Sequence, residues 1–525
     1  MKRILRSGLM AALVMLTLTS LFVSCSDPKA VKEFIMSNGA EPTLDPNLMQ
    51  DVPSTNVYLG LFEGLVQYDP KTNLAVPGVA KTWTVSPDGL TLTFKLRNSQ
   101  WSDGTAVTAQ DFVYSMLRIL DPATGASYAY MPGMVIKGAA EYNAGTGKAE
   151  DVGVKAVDAN TLVYTLTGPA PYAIDMFAHS AFGPVPKQAI DKFGTEWTKA
   201  GNIVTNGAYT LKDWKAQEYV MLEKNPKYWD AKNVKIQTIK MLSSDQDTTN
   251  YNMYKNGELD WMYGIAVSKI DEIKLRADYQ TSAQVGTYYY CFNVTRAPVS
   301  DVRVRKALAA AIDKTTLVDK VTKGGQIPTD SWVPQMAGYV PQKGIGYNVE
   351  EAKKLLSDAG FPNGKGFPVL TIVYNTNEGH KAIAEYIQQQ WKTNLGINVT
   401  LQNMEFKTFV DLRSKSHDFT VCRHGWIGDY LDPNTMLDLF ITGGGNNDGL
   451  YTNPEFDSLI TKAKTSSGAD RMAILQQAET LLITKDQAII PIYHYANQDL
   501  IDTTKWGGWY NTPLGFHPWK FLYLK

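Results

Sequence analysis

The chain has 525 residues, of which 44% are hydrophobic and 20% charged, and its formal net charge is -1. This composition excludes a disordered protein and lacks the basic excess that a nucleic-acid partner demands, and the length allows two or three domains with ample core. Aromatic residues reach 11%, with 28 tyrosines and 12 tryptophans, a supply of amphipathic surfaces that suits binding clefts as well as cores.

The N-terminus reads as an export signal. Lys2, Arg3 and Arg6 precede an apolar run from Leu9 to Val23, too short for a comfortable spanning helix. Residues 1-24 are assigned to a signal peptide. Cys25 follows directly and resembles the lipidated cysteine of a bacterial lipobox, with Phe22 where leucine is usual. Lipidation of Cys25 is the expectation; ordinary signal-peptidase cleavage nearby is the alternative. After Cys25 no apolar run reaches the roughly 18 residues that a membrane span needs.

From Glu33 to Pro53 the chain is polar and turn-rich, and Asn56 to Tyr68 reads as a short helix and a strand. Leu90, Leu92, Phe94 and Leu96 alternate with polar residues after the turn Pro87-Asp88-Gly89, which predicts a half-buried strand. Thr108 caps a helix running to Leu120. Strands are expected at Leu162 to Leu166, Tyr209 to Leu211, Tyr219 to Glu223 and Ile236 to Leu242. A helix starts at Asp301, carries Val304, Leu308, Ala311 and Ile312 on one face, and runs until Gly324-Gly325. Asn348 opens another helix with a capping box, closed by Gly360. Ile383, Ile387, Trp391 and Leu395 form an apolar stripe ended by Gly396, and Ile397, Val399 and Leu401 alternate as a strand. Gly443-Gly444-Gly445-Asn446-Asn447 looks like the most flexible loop. Asp470 to Ile483 reads as helix and Ala488 to Tyr495 as strand. Helices and strands mix throughout, without a solenoid-period repeat.

One stretch concentrates chemistry. The run from Asp418 to Pro433 begins as a buried strand and ends in a polar turn closed by Asp-Pro. It carries a cation at Arg423, an aromatic at Trp426 and a carboxylate at Asp429, with Gly425 and Gly428 permitting close backbone approach. Such a strand end suits an extended peptide, whose ammonium pairs with the carboxylate and whose amides complete a ladder. The same residues also fit a capped turn beside a core tryptophan.

Motifs of catalysis are lacking. The six histidines include no pair at zinc-protease spacing, and there is neither a Cys-x-x-Cys pair nor a Gly-x-Ser-x-Gly elbow. Gly145-Thr146-Gly147-Lys148-Ala149 fails as a phosphate loop, because the first glycine is replaced by Tyr142 and Ala149 follows the lysine. No enzyme activity, cofactor or metal is expected. Beyond Cys25, Cys291 and Cys422 lie in strand-like runs, where a disulfide and two buried thiols are equally open readings.

In order along the chain, Ala80 to Trp83, Ser86 to Gly89, Thr93 to Arg97, Trp101 to Gly104, Thr108 to Phe112, Asn202 to Tyr209, Asn225 to Trp229, Val302 to Leu308 and Gly425 to Pro433 together resemble the family 5 extracellular solute-binding proteins of ABC importers, the periplasmic oligopeptide-binding group in particular. The resemblance covers nearly the whole mature chain. It implies an α/β fold of two lobes with mixed sheets and a hinged cleft. By analogy the first lobe is 26-62, 187-285 and 497-525, an extra domain is 63-186, and the second lobe is 286-496.

The resemblance also assigns roles. Asp429 matches the carboxylate that takes the peptide ammonium, and Trp426 and Gly425 match the strand that pairs with the peptide backbone. Val52 matches the opposing backbone strand, and Tyr128 and Tyr289 match aromatics lining the site. Arg413, Arg423 and His380 match positions that receive the peptide carboxylate. Three departures stand out: Thr322, beside Lys323, where enteric relatives carry a lysine; Gly264 in place of an asparagine; and Phe406 in place of a tryptophan. Those relatives carry a disulfide at the positions of Gly286 and Ile427. Five residues along each antiparallel strand lie Cys291 and Cys422, so a relocated bridge is expected. The implied protein is a monomeric extracytoplasmic lipoprotein, bound to a bacterial membrane, that passes short peptides to separate permease and ATPase subunits. Alternatives within the fold are a cell-wall peptide or a non-peptide solute; outside it, an adhesive surface lipoprotein.

Overall fold

The computed structural model describes residues 33-525, so the signal segment and Cys25 lie outside the described residues. Ten strands form the path of one large mixed sheet: β1 (Glu33–Ser37), β2 (Tyr209–Lys215), β3 (Tyr219–Lys224), β4 (Thr238–Leu242), β5 (Trp261–Tyr263), β6 (Tyr279–Phe292), β7 (Leu370–Asn375), β8 (Val399–Met404), β9 (Val421–Ile427) and β10 (Ile489–Ile501). Their spatial order is β8-β7-β9-β6-β10-β5-β1-β4-β3-β2, and a two-residue strand, Ile327–Pro328, adds to β10.

β6 and β10 are the long members and belong to both halves of this sheet. Their antiparallel pairing breaks register between Ala283 opposite Ala496 and Thr287 opposite His494. The expected segment boundaries lie inside these two continuous strands, 285/286 within the irregular stretch and 496/497 just outside it. A bulged pair of strands bends more readily than an unbroken ladder.

A separate antiparallel sheet of four strands, ordered Ala80–Val85, Thr91–Leu96, Thr161–Thr165 and Val154–Asp158, packs with the helix Ala109–Leu120. Leu92, Phe94 and Leu96 face its core, as their alternation requires. Thr108 and Asp111 form a reciprocal cap on that helix.

Three expectations meet a different structure. The helix from Asp301 stops at Ala310, because Asp313 accepts a bond from the Thr316 amide and starts a new turn, Lys314–Leu317. The loop at 443-447, expected to be flexible, is tied down at its end while Gly443 and Gly445 are exposed. Asn446 and Asn447 are buried, and Asn447 Nδ2 donates to the carbonyls of Ile441 and Tyr451. Cys291 does sit opposite Cys422, in the register that pairs Gly286 with Ile427, but the two are free thiols here rather than a bridge.

Candidate binding cleft

β9 is half-paired. β6 covers one edge over its full length, from Gly286 opposite Ile427 to Phe292 opposite Val421. β7 covers the other edge only at Val421 and Cys422. Because Gly428 N donates to Val285 O, alternation directs the amides of 424 and 426 to β6, and those of Arg423, Gly425 and Ile427 to the other edge, where the Gly425 amide donates to His424 Nδ1 at 2.8 Å. That edge borders a cavity of about 300 Å3, within the size range of small-ligand sites. Gly425 is required: a Cβ there would come within 2.1 Å of the Tyr495 hydroxyl.

Asp429 follows the strand and lines the same cavity at 5% exposure. Its amide is fixed by the Thr435 hydroxyl at 2.9 Å, and Tyr128 Oη donates to Oδ1 at 3.3 Å. Oδ2 is buried without a partner. His179 Nε2 lies 3.5 Å from Oδ1, but burial pushes that imidazole down to about 3, so it is neutral and offers no counter-charge. Burial, and then the buried carboxylate of Asp438, hold the Asp429 carboxyl well above its ordinary range. The site is an anion-forming group waiting for a cation.

Arg423 is the converse. Its Nη1 and Nη2 donate, at 3.3 Å each, to Asn375 Oδ1 and Tyr495 Oη, its guanidinium lies over the Tyr288 ring, and Nε has no partner. Among the described residues it makes no ion pair. Arg413 also lines the cavity, yet it pairs with Asp448 and contacts His424. The two arginines are therefore not equivalent, and Arg413 is largely spoken for within the protein.

His380 lines the cavity with Nδ1 3.3 Å from the Tyr288 hydroxyl. Burial and then the Arg423 charge hold it well below 6.5, so it acts as a neutral hydrogen-bonding group rather than a cation. Trp426 is oriented by its indole N–H, which donates to Thr435 O, and lies parallel to Tyr128 at 6.1 Å. Phe406 lines the cavity as expected. Val52 lines it too, but as the first residue of helix α1 (Val52–Leu61), with Asp51 as cap, so it is not part of a strand. Tyr289 lies away from the cavity lining: it is 1% exposed, and stacks on His424 and edge-on to Trp332. Thr322 and Lys323 are also off the lining; Lys323 pairs with Asp271 on the surface.

The cavity lining holds residues that the sequence did not single out: Asp51, Asp245, Asp247, Asn375, Asn377 and His179. No local pattern marks them, because they come from separate turns and helix ends. Among the described residues no group of three His, Cys, Asp or Glu side chains could hold a metal ion, and no helix is long and apolar enough to cross a membrane.

The sequence pattern of the bacterial extracellular solute-binding proteins, family 5, middle region, matches residues 75–448. The periplasmic oligopeptide-binding protein OppA of Salmonella typhimurium is 38% identical over all of this chain and 98% of its own. The crystal structure of Haemophilus influenzae OppA in complex with the peptide RPPGFSPFR superposes with a TM-score of 0.90 at 33% identity, covering 95% of this chain and 99% of that one. The Escherichia coli murein tripeptide binding protein MppA gives 0.90 at 35% identity over 94% of this chain and 99% of its own. Its unliganded open form gives 0.63 over 94% and 98%. The chain belongs to the family 5 bacterial extracellular solute-binding proteins.

Proposed function

We propose that this protein is the peptide-capturing subunit of an ABC importer. The observation that carries the reading is the pairing of opposite charges along one open-edged strand and the turn after it: Asp429 and Arg423 line a shared cavity, and Asp429 Oδ2 and Arg423 Nε are buried without partners. An extended peptide fits this arrangement. Its ammonium pairs with Asp429, its backbone completes the β9 edge at Gly425, and its carboxylate meets Arg423. Because the ladder reads only backbone, side chains are read weakly and many sequences are admitted.

Ligand capture also resolves a buried carboxyl. Burial favours the protonated form of Asp429, and an arriving ammonium favours the ionised form, so binding releases a proton. Closure is supported by the likeness to a peptide-bound relative and the poorer match to an open form. We infer that the segments 26-62, 187-285 and 497-525 rotate against 286-496 about β6 and β10, with 63-186 as an extra domain contributing Tyr128 and His179. The protein binds without catalysis, acts as a monomer, and is held to the outer face of a membrane by lipid on Cys25. Permease and ATPase are separate chains.

Calorimetry of ligand-stripped protein with short peptides, each free and N-acetylated, tests the reading. Binding by free peptides that collapses on acetylation, and on Asp429→Asn, is the expected result. Folded protein that binds no free peptide would redirect the search to a non-peptide solute.

A further inference from the structure

Outside the cavity, a second contact joins the segments 63-186 and 286-496 inferred above. Tyr430, the residue after Asp429, is 1% exposed, and both bonds of its hydroxyl stay within its own segment. It donates to Asp438 Oδ2 at 2.8 Å and accepts from Asn434 Nδ2 at 3.0 Å. Arg471, in the helix Gly468–Thr480, is fixed by Asp432: Nη1 and Nη2 donate to its two carboxylate oxygens at 2.8 and 2.7 Å. Tyr172 of the other segment meets both. Its ring stacks on Tyr430 at 5.3 Å and 11°, and the Arg471 guanidinium carbon lies 4.8 Å from its centre. Tyr172, Tyr430, Asp432 and Arg471 are all absent from the cavity lining.

The backbones also come close along this seam. A Cβ on Gly445 would lie 2.4 Å from Ser127 O, and one on Gly168 would lie 3.0 Å from Lys464 O. Neither glycine has a positive φ, so the approach of the two segments demands them, not the local backbone. Gly445 is itself exposed, at the rim of the contact. Hydrogen bonds that cross beside the rings are long: Tyr68 Oη to Asp429 O at 3.5 Å, and Asn434 Nδ2 to Met134 Sδ at 3.9 Å. The bonds that fix Tyr430 and Arg471 all lie on one side. Parting the segments would leave them intact and would separate ring faces, which carry little polar cost.

We propose that Tyr172, docked on Tyr430 and Arg471, is a latch that holds the cleft shut on its ligand and sets how fast the ligand leaves. Asp429 and Tyr430 are consecutive, so the turn that presents the cavity carboxylate also presents the face of the latch. Filling the cavity and closing the latch are thereby one movement of one turn. This rests on the closing-cleft reading above. Because the latch touches no ligand, weakening it lowers the closed population equally for every peptide. It is a positioning device, distinct from the groups that choose the ligand.

The test is surface plasmon resonance on ligand-stripped protein with tri-alanine and penta-alanine, for wild type, Tyr172→Ala, Tyr172→Phe and Gly445→Val. Tyr172→Ala removes the ring, and Gly445→Val wedges the rim apart at an exposed position. Each should speed the release of both peptides by about tenfold, with association changed by less than about twofold. Tyr172→Phe keeps the ring and should restore slow release. Where Tyr172→Ala does not fold, Gly445→Val decides alone. Release within about twofold of wild type in the folded variants would overturn the latch while leaving peptide capture standing. So would a loss that differs severalfold between the two peptides, since that marks ligand recognition. Binding of neither peptide by folded wild type would overturn peptide capture and the latch together.

Discussion

Asp429 and Arg423 lie six residues apart along one chain segment, both line the same cavity, and each buries one polar atom without a partner. A charge buried without a partner is costly, so such a pair persists where a ligand completes it. On the proposed reading, the peptide's carboxylate is the partner of Arg423. Arg423→Met should therefore weaken free-acid peptides by about 2–5 kcal/mol while leaving C-terminally amidated peptides nearly unchanged. Calorimetry of matched acid and amide pairs measures the difference; an equal loss for both would remove Arg423 from carboxylate recognition.

Arg413 should behave otherwise. Its partner Asp448 is 3% exposed, and His424 shares the contact. Although burial acts upward, Arg413 and His424 hold the Asp448 carboxyl below its usual range. Arg413→Met leaves that carboxylate buried and uncompensated, and should cost about 3–5 kcal/mol of folding stability. Denaturant unfolding near neutral pH gives the number. The loss should shrink as pH falls through the carboxylate range, because stability from a depressed carboxylate is present above its unfolded value and disappears in acid.

Asp499 carries the opposite sign. It is 4% exposed, its Oδ1 accepts only the indole N–H of Trp261 at 2.9 Å, and burial pushes its carboxyl up to about 7. A carboxyl raised in the folded state favours folding below the unfolded value near 3.8, and that contribution is lost as pH rises through about 7. Asp499→Asn keeps an acceptor for Trp261 and removes the titration. It should stabilise the protein by about 2–4 kcal/mol at pH 8 and by little at pH 4, a trend that thermal or denaturant melts across pH can follow.

Cys291 and Cys422 face each other in an unbroken register. Directly opposed antiparallel residues have Cα separations of about 4.5 or 5.5 Å, and a disulfide accepts either. Protein recovered from an oxidising compartment should therefore be lighter by about two hydrogens than its reduced form. Two alkylatable thiols in the oxidised, unfolded protein would show that the strands are joined by hydrogen bonds alone.

Much of this protein was written locally. The periodicity of Ile383, Ile387, Trp391 and Leu395, the caps at Thr108, Asn348 and Gly396, and the alternation from Leu90 to Leu96 specify their elements because helix and strand place side chains with fixed periods. The stretch ending at Asp429 is readable for the same reason: a strand must end where glycines and Asp-Pro forbid it. Even the facing of Cys291 and Cys422 follows from one known pair of positions, since antiparallel register conserves the sum of residue numbers. What stayed hidden were questions of partnership. Nothing near Arg413 in sequence announces Asp448, and nothing near Arg423 announces the lack of such a carboxylate; the fold alone brings one arginine to an internal anion and the other to the neutral side chains of Asn375 and Tyr495. Tyr289 turns into the core rather than the cavity because His424 and Trp332 enclose it. Asp247 meets Asn377 and the bare backbone of Gly264 only in the folded chain. Local periodicity determines which face a side chain takes, but charge neutralisation is a long-range contact, and only the tertiary structure decides it.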